Sequence, residues 1–243
     1  MKFPLNQELS LRFDSLYQWL NRKYQLELIK QKIAGHIYQI YKISNVDPVL
    51  EEVLKDHAHS DENTPYWTEL WPSAIALGEF ISKRELNGKK VLGLGSGIGA
   101  VEMVAHNLGA KVILSDNQED ALRIAELNWI VNFGESAQII QLDWRSPRRL
   151  AVREQPKLDQ KFGLLLASDV AYEQRLFWPL IDTFQKLLAL DGEIYLSEPN
   201  RPIAKEFFDL LKKQNFEFER FKQKISYQKM KSDISVYRIW AKE

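Results

Sequence analysis

Cysteine is absent from the 243 residues. Its absence excludes disulfides, thiolate zinc sites and a cysteine nucleophile together, and it suits a cytoplasmic setting. An excess of either charge is also missing, since 33 Lys and Arg stand against 33 Asp and Glu. Without a basic excess the case for nucleic-acid binding falls, and none is expected. No apolar run approaches the roughly 20 residues of a membrane span, so no membrane is expected either. The residues from Met1 to Glu8 lack the apolar stretch of a signal peptide. Histidine is scarce, with four residues. His57 and His59 stand near Asp56 and Asp61, but an exposed polar linker accounts for them better than a metal, and no metal is expected.

What is present fits a cored protein. Hydrophobic residues make up 45% and charged ones 27%, in a chain long enough for one large α/β domain plus an extension. The balanced charge is uneven. Between positions 46 and 80 eight acids face Lys55 alone, and from Arg201 onward eleven bases face six acids. An acidic stretch would draw a basic substrate, though such runs are usually solvated faces.

Up to about Ala34 the pattern predicts a helix, with Leu9, Phe13, Leu16 and Leu20 at three- and four-residue spacing. Residues 36–44 carry the aromatic and β-branched content of a strand. Asp47-Pro48 reads as a helix start and 56–64 as a polar linker. In this reading 1–64 is an extension or lid, and 65–243 is the main domain. Past Trp71 the pattern changes. A helix is expected over 72–85, and then short apolar strands (90–94, 111–115, 138–142, 162–168, 193–197) alternate with helices (99–108, 119–132, 173–190). A helix over 203–214 leads to two strand-like runs, 216–225 and 234–241, close enough to pair antiparallel. Such alternation means βαβ units and a parallel sheet. Five parallel strands and one antiparallel pair make a seven-stranded sheet, mostly parallel, with helices on both faces.

Val91-Leu92-Gly93-Leu94-Gly95-Ser96-Gly97-Ile98-Gly99-Ala100 reads as strand, glycine turn and helix start. Glycine lets a ligand approach the backbone, and the helix that follows offers unpaired amides to an electronegative group. Two ligands suit such a loop. Gly95-x-Gly97-x-x-Ala100 satisfies the dinucleotide fingerprint, with Asp116 about 20 residues on. Gly95-x-Gly97-x-Gly99 equally satisfies the loop of class I S-adenosylmethionine (SAM) methyltransferases. In either, Asp116 at the end of the second strand would accept from ribose hydroxyls. After the third strand, Asp143 would accept from an adenine amino group and Trp144 would cover the ring. Packing and turn capping account for those two residues equally well.

Taken in order, these segments resemble the seven-β-strand protein lysine methyltransferases, over roughly 65–241. Tyr66-Trp67-Thr68-Glu69-Leu70-Trp71-Pro72-Ser73-Ala74 resembles the tryptophan-containing segment ahead of the family's first strand. Residues 94–99 match its first motif, Ala121-Leu122 with Asn128 and Asn132 the helix after the second strand, and 142–144 the adenine-binding turn. Asp169-Val170-Ala171-Tyr172 resembles the D-x-x-Y motif after the fourth strand. Glu198-Pro199-Asn200-Arg201-Pro202 resembles a segment of one subgroup, the lysine methyltransferase of the electron-transfer flavoprotein β-subunit and its bacterial relatives. The resemblance implies a Rossmann-like class I fold with strand order 3-2-1-4-5-7-6, SAM as cofactor and a protein lysine as methyl acceptor. It implies cofactor contacts from Trp71, Gly95, Ser96, Gly97, Gly99, Asp116, Asn117, Asp143, Trp144 and Ser168. One position departs: the family usually has Glu or Asp where this chain has Gly93, and Glu69 and Glu102 are the candidates to replace it.

Methyl transfer from a sulfonium is an in-line displacement, so alignment of the reacting atoms at about 3 Å is the main demand. A lysine nucleophile must be neutral, and both the sulfonium charge and desolvation lower its pKa from about 10.4. The resemblance gives Asp169 the part of orienting the amine and Tyr172 that of shaping the channel. Asp169 as a cap for the helix containing Tyr172 is the structural alternative. The prolines of the Asp/Asn-Pro-Pro-Tyr/Phe sequence of base-methylating enzymes are missing here. A small-molecule N-methyltransferase and a non-catalytic SAM-fold module stand as the other readings.

Overall fold

The computed structural model describes residues 4–45, 65–145 and 161–242. Asn6 opens α1 (Gln7–Lys23), its side-chain oxygen accepting from the Leu9 amide at 2.8 Å. Leu16 and Leu20 are buried, with Leu9 and Phe13 packed against the same core, as the spacing predicts. The helix does not continue to Ala34. From Leu26 the chain forms β1 (Leu26–Ile33), paired antiparallel with β2 (His36–Ile43). Ala34 and Gly35 both take positive φ, 50° and 83°, the geometry of a two-residue hairpin turn. Alanine rarely occupies such a position, so the turn carries a weak local signal. Pairing with β2 overrides the helical pattern.

The main body follows as α2 (Pro72–Ile81), β3 (Lys90–Leu94), α3 (Ala100–Asn107), β4 (Lys111–Asp116), α4 (Glu119–Phe133), β5 (Ile139–Gln141) and β6 (Phe162–Ser168). Then come α5 (Phe177–Leu187), β7 (Leu188–Glu198), α6 (Ala204–Lys213), β8 (Phe216–Tyr227) and β9 (Met230–Ala241). One seven-stranded sheet runs β5-β4-β3-β6-β7-β9-β8, which is 3-2-1-4-5-7-6 when counted from β3. Neighbours from β5 to β7 are parallel, and β9 runs antiparallel to both β7 and β8. Side chains alternate across it. Val91, Leu114, Leu164 and Leu166 join one core with α2, α3 and α4, while Leu92, Ile113, Leu165 and Ala167 join the other with α5 and α6. Strands buried on both faces read as continuous apolar runs, which is why they stand out in the sequence.

Several boundaries differ from expectation: the helix expected over 72–85 ends at Ile81, the strand expected from 234 begins at Met230, and two others have local reasons. The helix expected from 173 begins at Phe177, after a 3-10 turn at Gln174–Leu176. Pro179 is tolerated only in a first helical turn, and this start places it there. The strand expected from 193 begins at Leu188, which pairs with Phe162 ahead of a register shift.

The α1–hairpin extension lies against α4. Asn132 accepts from the Gln39 amide at 3.0 Å and donates to the Gln39 carbonyl at 2.7 Å. Asn128 does the same with Tyr41, at 2.7 and 3.1 Å, and also donates to the Ile98 carbonyl of the glycine loop at 3.0 Å. Arg12 reaches from α1 to the buried Glu126, Nε donating to Oε1 at 2.8 Å. Asp47-Pro48, the stretch 56–64, His57, His59 and most of the acidic run lie outside the described residues. No helix among the described residues is long and apolar enough to cross a membrane.

Candidate active site

The carboxyl ends of β5, β4, β3 and β6 open into one cavity of about 410 Å³, within the usual size of a small-ligand site. Trp71, Gly95, Ser96, Gly97, Asp116, Asn117, Asp143, Trp144, Ser168, Asp169 and Tyr172 all line it. Gly99 does not. It stands behind the loop, where a Cβ would come within 3.0 Å of Leu114 Cδ2, so its contribution is the fit of loop to sheet. Gly95 has φ of 65° and faces the Trp144 ring, with 3.3 Å from a Cβ position to Cζ2. A side chain there would press on the indole and intrude on the cavity.

Asp116 closes β4, 7% exposed. Oδ2 accepts from the Gly97 amide and Oδ1 from the Gln118 amide, both at 3.0 Å. Burial raises its pKa, and the backbone donors oppose the rise. A carboxylate has about four acceptor sites, so these donors leave capacity for a ligand hydroxyl. Asp143 is gripped by Arg145, with Nη2 to Oδ2 at 2.8 Å and the amide to Oδ1 at 2.9 Å. Burial pushes its pKa up, but the Arg145 guanidinium and amide outweigh this and hold it below the carboxylate range. Trp144 has a buried Nε1 with no hydrogen-bond partner among the described residues.

Asp169 sits in the left-handed region, φ 61°, just past β6. No helix starts there, since α5 begins at Phe177, so Asp169 caps nothing. Its amide donates to the Ser197 carbonyl at 2.9 Å and its Oδ1 accepts from Arg201. Ser168 accepts from Ser197 Oγ at 3.2 Å, fixing the same strand end. Arg201 and Tyr66, which also line the cavity, were not among the expected contacts. Arg201 is held by its amide on the buried carboxylate of Glu198, at 2.9 and 3.0 Å. Glu198 is the last residue of the fifth parallel strand, and that strand end is the available signal. Tyr66 and Tyr172 meet edge to face with centroids 5.0 Å apart, and Trp71 Nε1 donates to the Tyr66 carbonyl at 2.7 Å. Desolvation first, then the nearby Glu173 and Asp116 charges, raise the Tyr172 pKa, so its phenol stays protonated and is no base.

Of the two candidates to replace an acid at position 93, Glu69 also lines the cavity but is tied to the hairpin. It accepts from Lys42 of β2 at 2.8 Å. Glu102, in the first turn of α3, is the one beside Gly93.

This sheet order, a glycine loop after its first strand and acids at the ends of the next two define a Rossmann-like class I methyltransferase site. Crystal structures agree on the fold. A ribosomal protein L11 methylase from Lactobacillus delbrueckii subsp. bulgaricus superimposes with TM-score 0.51 at 19% identity, over 70% of this chain and 79% of that one. A TehB-like SAM-dependent methyltransferase from Corynebacterium glutamicum gives 0.53 at 15%, over 82% and 100%. Residues 51–214 match the lysine methyltransferase family, and the chain belongs to it. Protein N-lysine methyltransferase METTL21A of Danio rerio is 31% identical over 175 residues, covering 70% of this chain and 75% of that protein. EEF1A lysine methyltransferase 3 of Xenopus tropicalis is 26% identical over 191 residues, 76% and 80% of the two chains. Histone-arginine methyltransferase METTL23 of Xenopus laevis is 28% identical over 169 residues, 65% and 66%. The chain is a SAM-dependent methyltransferase.

Proposed function

We propose that the enzyme transfers a methyl group to the ε-amine of a lysine on a protein, with Asp169 orienting the amine and Tyr172 bounding its channel. The observation that carries this is the placement of three carboxylates, Asp143, Asp116 and Asp169, along one cavity at the ends of β5, β4 and β6. Bound SAM supplies an electrophilic methyl on a sulfonium. Asp143 and Trp144 would take the adenine, Asp116 and Asn117 the ribose, and Gly95, Ser96 and Gly97 would let the chain of the ligand lie close. Arg201 occupies Oδ1 of Asp169 and fixes the carboxylate, leaving Oδ2 for the incoming amine. With Tyr172 uncharged and no phosphate or oxyanion to stabilise, the residues serve alignment and desolvation. A chain without cysteine has no disulfide to lose under reducing conditions, which supports a cytoplasmic setting. Residues 1–64 we assign as an extension or lid to the domain at 65–243, its α1 and hairpin resting on α4.

Calorimetric titration with SAM and S-adenosylhomocysteine, with Asp116→Ala and NADH as controls, tests the cofactor. Saturable binding lost in the variant is expected. Radiolabelled methyl supplied with cell extract then tests the acceptor: label recovered as methyllysine after acid hydrolysis of protein is expected. Label confined to small molecules overturns the protein substrate.

A further inference from the structure

An adenosyl ligand with its base at Asp143 and its ribose at Asp116 has its amino-acid end over β3, because β5, β4 and β3 are consecutive in the sheet. β3 itself offers no acid there. The backbone at Gly93 is not left-handed, so conformation does not call for glycine. Glycine inside a strand marks a close approach, and the approaching group is Glu102. A Cβ on residue 93 would lie 2.0 Å from Glu102 Oε1 and 2.6 Å from its Cδ. A side chain at 93 and the carboxylate of Glu102 therefore cannot both stand where Glu102 now lies. Glu102 is 3% exposed and lines the cavity. Its Oε1 accepts from Ser96 Oγ at 3.1 Å, whereas Oε2 is buried with no hydrogen-bond partner among the described residues.

Resting on the SAM reading, we propose that Glu102 is the acceptor for the α-ammonium at the methionine end of the cofactor, a subsite furnished by α3 in place of β3. A buried carboxylate oxygen without a donor destabilises the free protein, and a cationic amine is the donor that suits it best. The location of Glu102 at a helix start explains its hydrogen bond with the loop, but leaves Oε2 unexplained.

The test compares S-adenosylhomocysteine, which carries the ammonium, with 5′-methylthioadenosine, which keeps the nucleoside and thioether but lacks it. Calorimetry is run on the parent, on Glu102→Gln, and on the paired change Gly93→Glu with Glu102→Ala. Glu102→Gln should weaken S-adenosylhomocysteine roughly 10- to 100-fold and leave methylthioadenosine within about twofold. The paired change, returning a carboxylate from the strand, should restore S-adenosylhomocysteine binding. Equal losses for both ligands in Glu102→Gln, or no loss for either, overturn the proposal. Failure of the parent to bind either ligand overturns the SAM reading itself, and the subsite with it.

Discussion

At the scale of single residues, the site holds groups in states that a purely structural protein has little reason to keep. Glu102 is the sharpest. Burial first, with the Asp116 charge facing it from β4, raises its pKa from 4.5 to about 7, against the opposing pull of Ser96 and its own amide. The folded protein thus holds this proton more tightly than the unfolded chain. Stability from this group is full below 4.5 and is lost as pH rises through about 7, by ~3 kcal/mol at most. Glu102→Gln should therefore melt higher than the parent at pH 8, by up to roughly 6–12 °C, and show little difference at pH 4. A lower melting temperature at pH 8 would sink this account. Asp169 stores a second oddity, a left-handed backbone that Asp and Asn tolerate better than other side chains. Asp169→Asn should keep the fold, with melting unchanged within about 2 °C, and reduce methyl transfer on the order of 10²-fold through lost alignment. Single-turnover kinetics with labelled SAM measures it; an unaltered rate removes Asp169 from the reaction.

At the scale of elements, the parallel strands and glycine loop were legible because each is a local signal: apolar runs buried on both faces, and glycines at φ 65°, 52° and 80° in the turn. Asp116 and Asp143 were legible because one ends a strand and the other follows a strand by two residues. The hairpin was not, because its evidence is tertiary. Leu26 to Ile33 alternate only once the partner strand is known, and the Ala34-Gly35 turn lacks the Asn-Gly or Asp-Gly signature. Sequence named Glu102 beside Glu69 but could not choose between them, since only the folded loop between residues 93 and 102 brings Glu102 into the space above Gly93. The extension's attachment predicts its own cost. Asn132 serves both backbone groups of Gln39 with one carboxamide. Asn132→Leu should leave both partners short and lower stability by roughly 2–3 kcal/mol, or about 4–10 °C in melting temperature. Thermal denaturation followed by circular dichroism checks this, and a change below about 2 °C would show that water replaces the amide.

At the scale of the whole molecule, the extension and the glycine loop answer to one side chain. Asn128 binds both backbone groups of Tyr41 in β2 and the carbonyl of Ile98 in the loop. A side chain shared in this way offers a route for coupling between the two ends, and any coupling along it acts equally in both directions. Hydrogen exchange should then slow at the Tyr41 amide when S-adenosylhomocysteine fills the cavity. Asn128→Ala should abolish that slowing while ligand still binds, and slowing that persists in the variant would place the link elsewhere. By the same reciprocity, a partner protein that grips the hairpin would raise cofactor affinity without touching the site. The hairpin would then be a lever on how firmly the methyl donor is held, worked from well outside the cavity.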